Sequence, residues 1–213
     1  MSGLQRGNGA AHTAKQRLKN PIILVGNGPS VLGSSLGTEI DEFDHIVRFN
    51  NYQTRGYEKH VGKRTTIWSR WYALPHNKPM NAFEEIWINM PLQERSPDKV
   101  MAGLAYAAEH RSRARVIPEQ GSALRLQEEV YGTCTGSKWP SSGLLAIAHA
   151  LDVAADVYLV GFDSWNREPF HYFEEHLRIN THHIAEVERA YIERLRDAGR
   201  LSFLHKCKIR QFR

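Results

Sequence analysis

With 213 residues, 41% of them hydrophobic and 24% charged, the chain is long enough for one substantial core and short for two. No window approaches the roughly 18 consecutive apolar residues of a membrane span, and residues 1–20 lack the apolar stretch of a signal peptide, so a cytosolic protein is expected. The net charge of +5 is unevenly spread: residues 1–20 carry +4 and residues 194–213 carry +6, which leaves −5 between them. A nucleic-acid reader concentrates basic side chains on a folded face, whereas these sit in the termini, so nucleic acid is not an expected partner. The basic ends read either as solvated tails or as a peripheral contact with an anionic membrane surface or substrate.

Residues 1–20 have no apolar period and read as a disordered basic lead-in, with one domain expected over 21–213. Residues 22–25 are a continuous apolar run ending at Gly26-Asn27-Gly28-Pro29-Ser30, the pattern of a strand buried on both faces entering a loop. Further strands are expected at 45–49, ending in Asn50-Asn51, and at 65–68, 85–89, 115–117 and 157–161. Helical patterns fall at about 98–110, 120–130, 143–151 and 182–198. Short apolar strands alternating with helices predict a single Rossmann-like α/β/α domain, a mostly parallel sheet with helices on both faces. In such sheets ligands sit beyond the carboxyl ends of the strands, where the Gly26 loop, Asn50 and the loop after Gly161 all fall. Residues 69–97, with Trp71, Pro75, Pro79 and Pro91, are less regular and suit a mobile acceptor-side loop. Cys134 and Cys207 have neither metal-ligand nor CxxC spacing and read as reduced thiols.

Several segments carry polar groups suited to a ligand. The Gly26–Ser30 loop offers backbone N–H groups and the side chains of Asn27 and Ser30, but it is neither GxGxxG nor a P-loop; an ordinary strand-to-helix turn is the other reading. Asn50 can both donate and accept, toward a base or a sugar hydroxyl, or it simply forms a turn with Asn51. Pro140-Ser141-Ser142-Gly143 precedes an apolar helix, which places Ser141, Ser142 and the Gly143 amide at a positive dipole end that suits a phosphate; a plain N-cap is the alternative.

Asn180 and Thr181 are candidate caps for a helix with Ile184, Val187, Tyr191 and Leu195 on its apolar face. His183 then lies in the first turn, where the dipole opposes a positive imidazole and favours a base. His182 is a rival base. Glu188 lies about 140° around that helix from His183, so a structural role is expected for it rather than direct orientation of the imidazole. His171, in the loop after the 157–161 strand, could stabilise or protonate a departing phosphate, or be a surface histidine beside inward-packing Tyr172 and Phe173.

Taken together and in order, these segments resemble the sialyltransferases of glycosyltransferase family 29. The run from Ile23-Leu24-Val25-Gly26-Asn27-Gly28-Pro29-Ser30 through Arg48-Phe49-Asn50 to Val61-Gly62-Lys63-Arg64 resembles the large sialylmotif. Pro140-Ser141-Ser142-Gly143 through Leu159-Val160-Gly161-Phe162 resembles the small one, His171-Tyr172-Phe173-Glu174 the third, and His183-x4-Glu188 the very small motif. The Asn27-Gly28-Pro29-Ser30 form is also similar to the separate bacterial sialyltransferase family 42.

The resemblance implies a GT-A-like variant fold and an inverting, metal-independent glycosyltransferase domain that uses a CMP-activated sugar, with no cofactor. It implies that Asn27, Ser30 and Asn50 contact the CMP moiety and that Ser141, Ser142 and Gly143 lie at its ribose and phosphate. His183 would deprotonate the acceptor hydroxyl and His171 would assist departure of CMP. The chain has no DxD candidate, since Asp41 and Asp44 have the wrong spacing. Animal members carry a Golgi anchor and a disulfide between the two large motifs; here neither motif contains cysteine, which fits a bacterial enzyme in the cytoplasm, peripheral to the inner membrane. The donor is then CMP-sialic acid or CMP-Kdo and the acceptor a glycan or glycolipid. A CMP-binding protein or a CMP-sugar hydrolase without transferase activity are the other readings.

Overall fold

Runs such as Ile22–Val25 are apolar at every position because helices cover both sides of the sheet that contains them. The computed structural model describes residues 18–73, 83–132, 139–163, 171–174 and 183–205. Strands β1 (Ile22–Val25), β2 (His45–Phe49), β3 (Ile67–Trp71), β4 (Glu85–Asn89), β5 (Arg113–Ile117), β6 (Val157–Val160) and β7 (Ser202–Phe203) form one sheet. They stand in the order β5-β4-β3-β2-β1-β6-β7, and every neighbouring pair is parallel.

Helices α1 (Gly37–Asp41), α2 (Glu58–Val61) and α3 (Pro97–Glu109) cover one face; α4 (Gln120–Leu126), α5 (Ser142–Val153) and α6 (Ala185–Asp197) cover the other. The strand period of two divides β1 between them. Ile22 and Leu24 pack with Leu144, Leu145 and Ile147 of α5, while Ile23 and Val25 pack with Val31, Ile40 and Val61. Each such fully buried aliphatic side chain contributes about 1.5–3 kcal/mol. The expected α/β/α architecture is the one observed.

Boundaries differ where tertiary contacts set them. Leu18 donates its N–H to the Val153 carbonyl (2.6 Å) and bridges Ala154, so residues 18–20 are joined to the domain that was expected to start at Pro21. β3 was expected over 65–68 but begins at Ile67, because the Thr66 hydroxyl accepts from Ile46 N–H (2.7 Å), and it runs on to Trp71 because β4 pairs with it over its whole length. Trp71 therefore ends a strand and does not belong to a loop. The short α1, α2 and β7 are below the length at which periodicity reads. Among the described residues no helix is long and apolar enough to cross a membrane. The lead-in residues 1–17, Pro75, Pro79, Cys134, Asn180, Thr181, His182 and Cys207 lie outside the described residues.

Numbering runs away from β1 in both directions, with β2 on one side and β6 on the other. In open α/β sheets ligands are taken at such a reversal, which here falls at the carboxyl ends of β1, β2 and β6.

Candidate active site

The loops that leave β1 and β6 are laced together. Gly26 N–H donates to the Val160 carbonyl (2.8 Å), Gly28 N–H to the Gly161 carbonyl (2.9 Å) and Ser30 N–H to an Asp163 carboxylate oxygen (3.2 Å). Glycine is needed here for close approach: a Cβ on Gly26 would stand 2.3 Å from the Gly161 carbonyl oxygen, and Gly161 itself has φ +72°. This corrects the expectation of a loop with exposed amides. Three of its four N–H groups are spoken for apart from that of Asn27, Pro29 has none, and the Asp163 carboxylate over Gly28 opposes a phosphate. The sequence contains Asp163, but nothing local shows that it reaches back to Ser30.

Asn27 and Asn50 are brought together at the ends of β1 and β2, where Asn27 Nδ2 donates to the Phe49 carbonyl at 3.3 Å. Asn50 is left-handed, φ +47°, a conformation asparagine tolerates better than most residues. Its Oδ1 accepts from the Trp71 N–H at 2.8 Å and its carbonyl from Trp68 Nε1 at 2.9 Å. The turn reading of Asn50 is the one observed. It shapes the turn, and its Nδ2 makes no hydrogen bond among the described residues.

The N-terminus of α5 departs from expectation. Ser141 is the N-cap, with Oγ accepting from Leu144 N–H (3.1 Å), but its hydroxyl donates to Glu188 Oε2 (2.5 Å) and its N–H to Glu188 Oε1 (2.7 Å). A serine hydroxyl has one hydrogen, so Ser141 cannot also donate to a phosphate. The protein's own carboxylate already occupies part of the positive helix end, and only the Ser142 and Gly143 amides and the Ser142 hydroxyl remain for a ligand. Gly143 has a second reason to lack a side chain, since a Cβ would lie 3.0 Å from the Phe162 ring. Phe162 also meets Phe49 edge-on at 5.7 Å, which joins the ends of β2, β6 and α5 at one ring.

Glu188 is fully buried and also accepts from the Tyr131 hydroxyl at 2.6 Å, in keeping with the structural role expected of it. Three donors and the α5 dipole compensate its burial. His183 lies two residues before α6, whose N-cap is Ile184, and so is not in the first turn. Its Nδ1 is 2.9 Å from the Trp139 carbonyl. A carbonyl only accepts, so Nδ1 carries the hydrogen and Nε2 is the basic nitrogen. Glu188 and His183 thus grip adjacent points of one segment, Ser141 and Trp139, without pairing with each other.

His171 joins the Gly26 loop through its neighbour, as Tyr172 N–H donates to the Asn27 carbonyl at 2.9 Å. Its Nδ1 lies 2.9 Å from Glu174 Oε2 and its ring stacks on Phe173, an arrangement that orients Nε2 away from the carboxylate. Tyr172 is buried, its hydroxyl donates to the Gln53 carbonyl, and burial pushes it up to about 12. Burial also lowers Arg48 beneath the usual guanidinium value; its side chain donates to the Arg64 and Val61 carbonyls and supports the same end of β2.

The candidate site is thus the carboxyl end of the sheet, where Asn27 and Asn50 follow β1 and β2, Ser142 and Gly143 open α5, the His171 segment is tied to Asn27 through Tyr172, and His183 is tied to Trp139 just before α5. Comparison with known proteins bears on that place. Residues 5–91 match the family model described as glycosyltransferase family 29 (sialyltransferase). The mouse CMP-N-acetylneuraminate-beta-galactosamide-alpha-2,3-sialyltransferase 2 is 28% identical over 200 residues, which cover 84% of this chain and 55% of that protein. The chain therefore spans about half the length of this curated relative. Among solved structures, a mammalian sialyltransferase in complex with Gal-beta-1-3GalNAc-ortho-nitrophenol superposes with a TM-score of 0.65 at 19% identity, covering 87% of this chain and 69% of that one. The alpha-2,3-sialyltransferase Cst-I from Campylobacter jejuni gives 0.63 at 16% identity, covering 93% and 81%. These two likenesses concern the fold, which they share with this chain.

Proposed function

We propose that the chain is a sialyltransferase of the glycosyltransferase family 29 type, whose model matches residues 5–91, and that it transfers a sialic-acid-type sugar from a CMP-activated donor to a glycan hydroxyl with inversion. The observation that carries the reading is the Trp139 carbonyl 2.9 Å from His183 Nδ1, which leaves Nε2 as a base at the end of the sheet where the four motifs converge. The donor class is supported by the mouse relative, whose name specifies CMP-N-acetylneuraminate.

In this reading Asn27 and Asn50 hold the nucleoside, and the Ser142 and Gly143 amides face the phosphate. His183 Nε2 takes the acceptor hydroxyl proton as the oxygen attacks the anomeric carbon. The bond from that carbon to the CMP phosphate oxygen breaks, and His171 stabilises or protonates the departing CMP. The charge is met by amides and imidazole, without a metal. Cysteine-free motifs and basic termini support action in a bacterial cytoplasm, peripheral to an anionic membrane. CMP-Kdo is the second donor to try.

The test is acceptor-dependent release of CMP from CMP-Neu5Ac and CMP-Kdo over an acceptor panel, with EDTA present. We expect transfer that survives EDTA, is abolished in His183→Ala, and leaves CMP binding by that variant intact. His182→Ala should transfer normally; the reverse pair of results moves the base to His182. Thermal stabilisation by UDP, GDP or NAD equal to that by CMP would overturn the nucleotide reading, and CMP release without acceptor would point to a hydrolase.

A further inference from the structure

His183 is held through a carbonyl, and a carbonyl is only as fixed as the residue that bears it. The Trp139 indole stacks on Trp71 with ring centres 6.4 Å apart and planes 12° from parallel. Trp71 is the last residue of β3, paired to Asn89 of β4, and its N–H donates to Asn50 Oδ1 at 2.8 Å. Asn50 is pinned in turn, its N–H donating to the Ser69 carbonyl (2.9 Å) and its carbonyl accepting from the Trp68 indole. An unbroken run of contacts therefore passes from Asn50 through Trp71 and Trp139 to the His183 ring.

We propose that Trp71 is a positioning residue that sets the His183 ring through Trp139 and ties it to Asn50, so that the donor side and the base move as one unit. This deepens the reading above and rests on it for the role of His183. The physical reason is that an aromatic stack fixes both the distance and the tilt of Trp139, and its backbone carbonyl follows its ring. General-base catalysis depends on such placement, and displacement by about 1 Å can cost on the order of a hundredfold in rate.

The experiment combines ring-nitrogen NMR of His183 with steady-state kinetics. In Trp71→Ala the single Nδ1–H tautomer of His183 should give way to a mixture, and kcat should fall roughly ten- to a hundredfold while CMP affinity is kept. Trp71→Phe, which restores a stacking ring, should recover both. Asn50→Gly accepts the left-handed backbone and removes the carboxamide, so it should reproduce the tautomer change, whereas Asn50→Asp, which keeps an acceptor oxygen, should not. An unaltered His183 tautomer in both Trp71→Ala and Asn50→Gly would overturn the proposal. So would a loss confined to acceptor KM with kcat retained, which would make Trp71 a sugar-stacking surface. If the parent protein transfers no sugar from any CMP donor, the functional reading fails, while the NMR comparison still decides the coupling.

Discussion

Ser141 and Glu188 lie 47 residues apart, and together they exchange a ligand-binding role for a structural one. A carboxylate with three donors and no exposure is expensive to disturb, because removing it takes away the acceptor of the Ser141 N–H and hydroxyl and of the Tyr131 hydroxyl. Glu188→Ala should cost about 2–4 kcal/mol in urea unfolding. Glu188→Gln should cost less but still lower transfer, since one amide end donates where only acceptors fit. Ser141→Ala should lose about 1–2 kcal/mol as a cap and carboxylate partner while CMP affinity stays unchanged; a large drop in CMP affinity would return Ser141 to the ligand. That polar groups stand at 141, 183 and 188 was legible in the sequence, and so was a structural role for Glu188. Their partners were not, because no local pattern says which of two hydroxyls a carboxylate 47 residues away will claim.

At the scale of elements, the crossing of the β1 and β6 loops makes the sharpest demand. A methyl group on Gly26 would have to push the Gly161 carbonyl away, and one on Gly161 meets both Val31, at 2.6 Å, and an unfavourable φ of +72°. Gly26→Ala should therefore cost about 3 kcal/mol by urea unfolding and weaken CMP binding with it. Gly33→Ala is the matched control, with nothing within 4 Å of its Cβ, and should change stability by less than about 0.5 kcal/mol. The six longer strands and four longer helices were legible because apolar runs and the 3.6 period extend over enough residues to read. The start of α6 was not. Polar residues before Ile184 suggested an earlier cap, but the chain at His183 is drawn to the Trp139 carbonyl and turns into helix only afterwards.

For the whole molecule, the third motif doubles as a fastener. Tyr172 joins the His171 segment to the Gly26 loop and to Gln53, and packs edge-on with Tyr57 at 5.0 Å. Its phenol rises from 10.0 to about 12 because burial disfavours the phenolate. The folded state thus holds this proton more tightly than the unfolded chain. Its stability contribution is complete below pH 10 and is lost as pH climbs from 10 to about 12. Urea unfolding as a function of pH should show that alkaline decline, and in Tyr172→Phe the decline should flatten over the same window, at the cost of a lower plateau from the lost hydrogen bond to Gln53.

The order and spacing of the motifs in the sequence carried the resemblance to the sialyltransferases, and the apolar runs determined a parallel sheet buried on both faces, since both are properties of consecutive residues. The cluster of candidate groups at one end of the sheet was also legible, because carboxyl ends of parallel strands all point the same way. Which groups were still open to a ligand was decided only by the tertiary structure. A hydrogen bond has one donor and needs a partner at a set distance, and folding brought Asp163 to Ser30, Glu188 to Ser141 and Trp139 to His183 across 133, 47 and 44 residues.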